Sequence, residues 1–585
     1  MVRLTELTFR PSTISTSLRI NSTIADMKVP IPSNGGRSKD RRRYCLMAAG
    51  SNGAGQLALG VDNTKDSHNW APCQGFADAQ EGIAAFPPEG WVIEDMCGGA
   101  NHTVALLRST LRQTSDQSKY PPRQVWLAGD STLGQRGPLP RRLADDHSAA
   151  CSTVFVPLDL RSMLSSRQPR LSSYSSQSSQ PLPAAIAATW SNTFIVVSPA
   201  SEANDDDQVW CLGGEGDFGQ LGMDSAWTNT KPTPPSPHLV KVRSPIDTYL
   251  HQIAHLENGR DRLAGSASSR LTVVAMAAGV RHVIALVHCP SGDSDGRVFL
   301  LGWGAARHGQ LQWDDPLVYK PSKVEWTPTV VCSWSTQGET PTAANVRLAA
   351  GKDHSAVMVP AQWSLDRAAK RHGSRNPASR NPVSRVHILG SNRAGQLDVM
   401  EAVARADGVP RWVGATWNST FVAMSHGTDS SDDSKAAPAT ITSMIASGKN
   451  DKGQLGCDSS RPRASSLHVD LSEVLRLTSR PSTPSNKLSA KTEEIQVEQV
   501  VCGSEHVLAL VSTLEDRQDG RNGKATEVWG WGWNEHGNLA LGHLCGDAKI
   551  PVQIWKADGV HRDARAVKVW AGCATSFLLL EVPPK

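Results

Sequence analysis

The stretch VWGWGWNEHGNLALG at 528–542 decides the fold. An apolar run alternates with glycine, and a polar turn then lies between Gly532 and Gly537. Alternation followed by glycines at a fixed offset marks a strand running into a tight turn. Trp529, Trp531 and Trp533 alternate with Gly530 and Gly532, so an extended chain puts three indoles on one face and the glycines on the other. Working outward, the phrase recurs as YCLMAAGSNGAGQLALG (44–60), VWLAGDSTLGQRG (125–137), VWCLGGEGDFGQLG (209–222), VFLLGWGAARHGQLQ (298–312), VHILGSNRAGQLD (386–398) and MIASGKNDKGQLG (444–456). The leading glycines are Gly50, Gly129, Gly214, Gly304, Gly390, Gly448 and Gly532. Five residues after each comes a second: Gly55, Gly134, Gly219, Gly309, Gly395, Gly453 and Gly537.

A second phrase alternates with the first. It reads VIEDMCGGANHTVALL (92–107), VVAMAAGVRHVIALV (273–287), VRLAAGKDHSAVMV (346–359) and VEQVVCGSEHVLALV (497–511). Its mark is Gly-x-x-His followed by apolar residues. Degenerate copies at 184–197, 411–424 and 566–580 fill the gaps. We read Thr193, Thr420 and Thr575 in place of the histidine, and Trp190 and Trp417 in place of the glycine. His102, His282, His354 and His506 recur at one repeat position, which points to a structural job, such as bonding a neighbouring blade's backbone.

Seven interleaved pairs of short strands predict an all-β, seven-bladed propeller. The first strand (44–49) belongs to the first phrase and the last (575–581) to the second, so the terminal strands are expected to pair and close the ring without an exposed edge. Residues 1–40 read as a basic, disordered extension, and 41–585 as the propeller. Segments 138–183, 223–272, 360–385, 425–441, 457–496 and 512–526 are rich in Ser, Pro, Asp and Arg and read as long disordered loop insertions. What remains is roughly 50 residues per blade, near the length of known propeller repeats.

Composition narrows the function. The chain has 585 residues with 18 Trp against 5 Tyr and 9 Phe, as repeated use of tryptophan requires. Lys and Arg number 60 against 56 Asp and Glu, a balance that argues against nucleic-acid binding as the main business. No run approaches 18 apolar residues, so a membrane span is not expected. There are 11 cysteines without a C-x-x-C, which reads as reduced, buried thiols in an intracellular protein. Neither a phosphate loop nor a Gly-x-Ser-x-Gly elbow occurs, so no catalytic residue, cofactor or metal ligand is assigned. The basic N-terminus, Lys39–Arg43 above all, reads as a disordered extension, a nuclear signal or an organelle presequence.

The two phrases resemble the regulator of chromosome condensation repeat over 44–581. Within that group, GSNGAGQLALG after the first strand, WGWNEHGN and GCATSF resemble the fungal alpha-tubulin suppressor family. The long insertions depart from that family. The resemblance implies a non-enzymatic adaptor that forms a heterodimer with a small CSL-type zinc electron-carrier protein. It would support diphthamide synthesis on elongation factor two and, indirectly through Elongator, wobble-uridine modification of tRNA, in cytoplasm and nucleus. The alternatives are guanine-nucleotide exchange on a Ran-like small GTPase and, more weakly, a microtubule-related role. His308 and His536 lie in Gly-to-Gly loops, on a blade face. In the most family-specific loop, Trp533, Glu535 and His536 are the candidate partner-binding residues. The alternative is that Trp533 packs inward and the polar pair is merely solvated.

Overall fold

Each pair of repeat phrases folds into one antiparallel sheet, and seven such sheets stand around a common axis among the described residues. This computed structural model describes residues 43–78, 82–110, 123–138, 151–165, 181–199, 205–214, 216–223, 237–256, 270–290, 296–313, 322–342, 345–365, 384–425, 441, 443–457, 463–469, 495–515, 523–543, 545–558 and 563–583. The expected disorder of 1–40 and of most insertion residues falls outside them.

In blade 1 the strands run outward from the axis as Trp91–Gly98, His102–Ser109, Arg123–Asp130 and Cys151–Pro157. The second phrase supplies the two inner strands, and the first phrase supplies the third strand and the turn after it. Blades 2, 3, 5 and 6 repeat this order from the inner strands Leu182–Ala188, Thr272–Ala278, Val409–Ala415 and Ile495–Cys502. Each inner strand touches the inner strand of the next blade, and the seventh returns to the first. Blade 7 is built from both ends of the chain. Arg43–Gly50 lies between Thr575–Val582 and Ser67–Pro72, pairing with the former from Arg43↔Val582 to Gly50↔Thr575. The expected closure by terminal strands is what the sheet shows.

Blade 4 departs from the pattern. It has three strands, Arg347–Ala350, His354–Pro360 and Ser384–Gly390, followed by the helix α1 (Val399–Arg405). Val399 and Val403 of α1 are buried among Ile388, Val413, Val422 and Ile445, so the helix seals the seam between blades 4 and 5.

The segments allotted to insertions hold more structure than expected. Cys151–Pro157, His238–Val240 and Arg463–Val469 are the fourth strands of blades 1, 2 and 5, and in blade 1 the hairpin of Gln74–Asp78 and Gly82–Ala85 lies beyond the fourth strand. A fourth strand needs few residues, so Pro- and Ser-rich flanks hide it. Residues 243–256 form a helix whose Ile246 joins the core between blades 2 and 3, with Tyr249 edge-on to Phe299.

The blade interfaces explain the tryptophans. Trp529 and Trp531 are buried between blades 5 and 6, and Trp531 Nε1 donates to Gln454 O of blade 5. Trp303 repeats the contact, donating to Gln220 O from blade 3 to blade 2. On the glycine face of the blade 6 strand, Leu539 and Ile554 of the same blade fill the space over Gly530, and Val528 packs with them against Met47, Val569 and Leu578 of blade 7. Trp533 lies beyond the strand, which ends at Gly532, and does not share the face of the other two indoles.

Candidate functional site: the two ends of the central channel

Two sets of turns form one face of the ring. One joins each inner strand to the second strand, and the other is the Gly-to-Gly loop. The turns between inner and second strands follow one rule. A backbone N–H bonds the carbonyl three residues on, as Gly99 to His102, Gly279 to His282, Gly351 to His354 and Gly503 to His506. A Cβ at these glycines would lie 2.1–2.5 Å from Cε1 of the histidine that follows and 2.2–2.8 Å from a backbone carbonyl of the next blade. Glycine is required because the imidazole and that carbonyl together occupy the space.

The same bonds correct the reading of the degenerate copies. Thr189 bonds Asn192, and Thr416 bonds Ser419. So Asn192 and Ser419, not Thr193 and Thr420, stand where the histidine would be, while Thr575 does stand there. The glycine is replaced by Thr189 and Thr416, not by Trp190 and Trp417. Both threonines occur in copies without the imidazole, whereas blade 7, which also lacks it, keeps Gly572 beside Thr575. In blade 2 the left-handed glycine is Gly213 (φ +125°), not Gly214, so that loop is one residue longer than its neighbours.

The four histidines are buried. His282 Nε2 lies 2.9 Å from the Ser355 hydroxyl of blade 4, and His506 Nε2 lies 3.0 Å from the Ser576 hydroxyl of blade 7. Those hydroxyls then donate back to Gln310 O and Asn538 O. For these two histidines the next blade thus supplies a side-chain hydroxyl, and the expected neighbouring backbone also bears on the rings, at His354 for His282, Ser419 for His354 and Thr575 for His506. Burial pulls the histidines down from 6.5, to about 4 for His102, His354 and His506 and about 3 for His282. All four are neutral at pH 7.

Beside the turns, backbone bonds link blade to blade around the channel. Ala100 N–H bonds Trp190 O, Trp190 bonds Val280, and Val280 bonds Gly351. Lys352 bonds Trp417, Trp417 bonds Ser504, and Ser504 bonds Gly572. This belt fixes Trp190 and Trp417 by their backbones and leaves their side chains over the channel end. The indoles meet at 5.9 Å between ring centroids, and Trp190 is 42% exposed. They cap a cavity of about 270 Å³. Cys97, Cys502 and Cys573 line it and are not fully buried as expected; enclosure raises all three thiols, Cys573 to about 11. They are neutral and poorly nucleophilic.

On the rim of the same face lies the loop from Trp533 to His536. Asn534 builds its turn: its Oδ1 accepts Leu539 N–H at 2.8 Å, as Asn52, Asn392 and Asn450 do in their loops. Trp533 Nε1 donates to Glu535 at 3.1 Å, with the ring edge-on to His536. His536 Nδ1 lies 2.8 Å from Asp66 of blade 7, and Asp66 also accepts Asn52 N–H. Thus His536 ties two blades, Glu535 is exposed, and Trp533 is half-buried. His308 holds the same loop position in blade 3 and faces Asp353 of blade 4 at 3.8 Å. No group of three or more metal-ligating side chains exists among the described residues, and no described helix is long and apolar enough to cross a membrane.

The match to known proteins comes from this last part of the ring. Residues 527–579 match the family model of the regulator of chromosome condensation (RCC1) repeat. That span runs from the third strand of blade 6 to the second strand of blade 7. The RCC1-type propeller is similar to human WBSCR16, at 15% identity and TM-score 0.50, over 92% of this chain and all of that one. It is equally similar to Prp20p from Saccharomyces cerevisiae, at 15% identity and TM-score 0.50, over 93% of this chain and 92% of that one. These likenesses show the fold. No curated protein matches the sequence.

The sequence reading missed the site role of Trp190 and Trp417. The available signal was two tryptophans at the same repeat position, in the two copies that lack both glycine and histidine.

Proposed function

We propose that this RCC1-type propeller is a non-enzymatic adaptor whose loop face engages a small CSL-type zinc electron-carrier protein. In that role it supports diphthamide synthesis on elongation factor two and Elongator-dependent modification of wobble uridines, in the cytoplasm and nucleus. The observation that carries the choice of face is the Trp190–Trp417 pair, in which Trp190 is exposed and Trp417 half-buried. A tryptophan held by a rigid backbone belt and left in solvent has no packing reason to be there. Such residues dominate binding energy where proteins meet. The choice of partner rests on the WGWNEHGN resemblance, whose Glu535 and Trp533 lie on the same face.

The test is calorimetric titration with the recombinant zinc protein. Trp190→Ala with Trp417→Ala should weaken binding roughly 30- to 1,000-fold, about 2–4 kcal/mol. The melting temperature should change little, because both indoles project into the channel end. Glu535→Ala with His536→Ala should weaken binding about tenfold, with a small loss of stability from the Asp66 contact. Unchanged affinity in both variants would remove the loop face from the interface.

A second reading is exchange activity on a Ran-like GTPase. Prp20p, which shares the fold, binds Gsp1p and histones. Our expectation is that the purified propeller does not speed nucleotide release from a Ran-type GTPase. A tenfold acceleration, about 1.4 kcal/mol of barrier, would favour the second reading over the first.

A further inference from the structure

The opposite end of the channel carries a different chemistry. A cavity of about 750 Å³ opens there, where the inner strands begin. Arg108, Arg123, Arg347, Arg565 and Lys568 line it, against Glu94, Asp95 and Glu581. The inner strands of blades 1 and 7 are bulged at Glu94 and Val567, and those of blades 2 and 3 at Ala184 and Val274. A bulge re-aims the side chains beside it. Here the result is a mouth divided into sectors. Blades 1 and 7 contribute Arg108, Arg123, Arg565 and Lys568. Blades 2 and 3 contribute Ala184, Ala185, Val274, Ala275 and Met276, and blade 4 adds Arg347.

The acidic groups offset this wall only in part: Glu581 stands opposite Arg565 in the blade 7 sheet. Glu94 is clamped by Arg108 Nε at 2.7 Å and Arg123 Nε at 2.8 Å, and among the described residues the terminal nitrogens of both guanidinium groups make no bond. Lys568 Nζ donates to the Glu94 carbonyl at 2.7 Å. Asp95 opens onto channel water but is enclosed by the ring, and that enclosure raises its carboxyl. The half-buried Arg347 side chain makes one hydrogen bond among the described residues, to Val346 O at 2.9 Å. Burial lowers its guanidinium from the ordinary value, as removal from water without a countercharge does. Arg565 is exposed and has no ion pair among the described residues. A desolvated guanidinium with most of its donors unused is costly unless a ligand supplies acceptors.

We infer that the channel mouth binds an extended acidic peptide whose carboxylates meet Arg347 on one side and Arg565 with the Arg108–Arg123 pair on the other, with apolar residues between them against blades 2 and 3. A compact inorganic anion would leave the alanine and valine wall unused. An extended peptide offers alternate side chains of both kinds. The site is independent of the zinc-protein reading, which uses the other end of the channel.

The probe is a fluorescein-labelled synthetic peptide of alternating Glu with Leu and Val, read by anisotropy on the full chain. Binding is expected in the range of tens of micromolar at low salt, falling as salt rises. The Gln counterpart should bind at least tenfold more weakly. Arg347→Glu with Arg565→Glu should lose at least tenfold, and the milder Arg347→Gln with Arg565→Gln several-fold, with melting curves checking the fold. Trp190→Ala with Trp417→Ala should leave peptide binding intact. Equal binding of the Gln peptide would overturn the inference, and so would indifference to both Arg variants. Full displacement by equimolar tripolyphosphate or a single-stranded oligonucleotide would assign the mouth to a different anion and overturn it too.

Discussion

Between pH 6.5 and pH 5 the propeller is expected to lose most of its resistance to denaturant. Four imidazoles, His102, His282, His354 and His506, are buried and neutral, with values pulled from 6.5 to about 4, 3, 4 and 4. Unfolding releases them to ordinary titration. Below pH 6.5 the unfolded chain therefore binds protons that the folded chain does not, and stability falls with pH. The contribution is complete above pH 6.5 and drains as pH drops towards 4. At pH 5 each histidine has given up about 2 kcal/mol, so the four together reach the order of 8 kcal/mol, comparable to the whole stability of an ordinary domain. Asp95, Glu325 and Glu505 work the other way, because enclosure raises their carboxyls. They offset part of the histidine loss as the pH falls. Urea midpoints at pH 7, 6, 5.5 and 5 measure it. Two variants borrow the protein's own residues at the histidine position while keeping the glycines, whose Cβ would meet the next blade's carbonyls: His354→Ser follows blade 5, and His102→Asn follows blade 2. Each should flatten the slope by about 1.4 kcal/mol per pH unit. An unchanged slope in both would mean that the histidines are not what makes the fold acid-sensitive.

These histidines also mark the limit of reading by repeats. The seven phrases fix the blade count because a strand, a turn and two glycines recur in every copy, whatever lies between them. Ring closure was legible for the same reason, since the first and last strands belong to complementary phrases. The register of the degenerate copies was not. A sequence comparison aligns Trp190 with a glycine by proximity, whereas the turn hydrogen bond aligns Thr189. The cause is steric: an imidazole three residues on and a carbonyl of the next blade both crowd a Cβ here, and threonine stands at this position only in two copies that lack the imidazole. The fourth strands of blades 1, 2 and 5 escaped because a fourth strand carries neither repeat phrase.

Both ends of the channel escaped for a different reason. Arg108, Arg347 and Arg565 sit in three blades, hundreds of residues apart, at positions where the repeat has no preferred residue. Only the ring brings them together. The loop from Trp533 to His536 was visible as a family-like motif, but its link to Asp66 crosses the closing seam and has no local trace in sequence.

Deleting residues 1–40 should leave the melting temperature within about 2 °C, whereas deleting residues 1–50 should lower it by more than 10 °C or abolish recovery of folded protein. The second deletion removes the strand Arg43–Gly50, which pairs along its length with Thr575–Val582 and also carries Ser67–Pro72. Leu46, Ala48 and Ala49 are fully buried and Met47 nearly so. Emptying a buried Leu or Met site costs about 2–5 kcal/mol each. The backbone groups of Thr575–Val582 that faced the lost strand become an unpaired apolar edge, which invites aggregation. Together these exceed 5 kcal/mol, and at about 2–4 °C per kcal/mol for a large domain the shift passes 10 °C. The His536–Asp66 latch would fail as well, because the segment that holds Asp66 loses its sheet. A synthetic peptide of residues 41–52, added in excess during refolding, should restore part of the lost melting temperature if pairing is the cause. Identical melting of the two truncations would show that the ring does not depend on its terminal strand. Failure of the peptide alone would place the loss in covalent continuity rather than in the sheet.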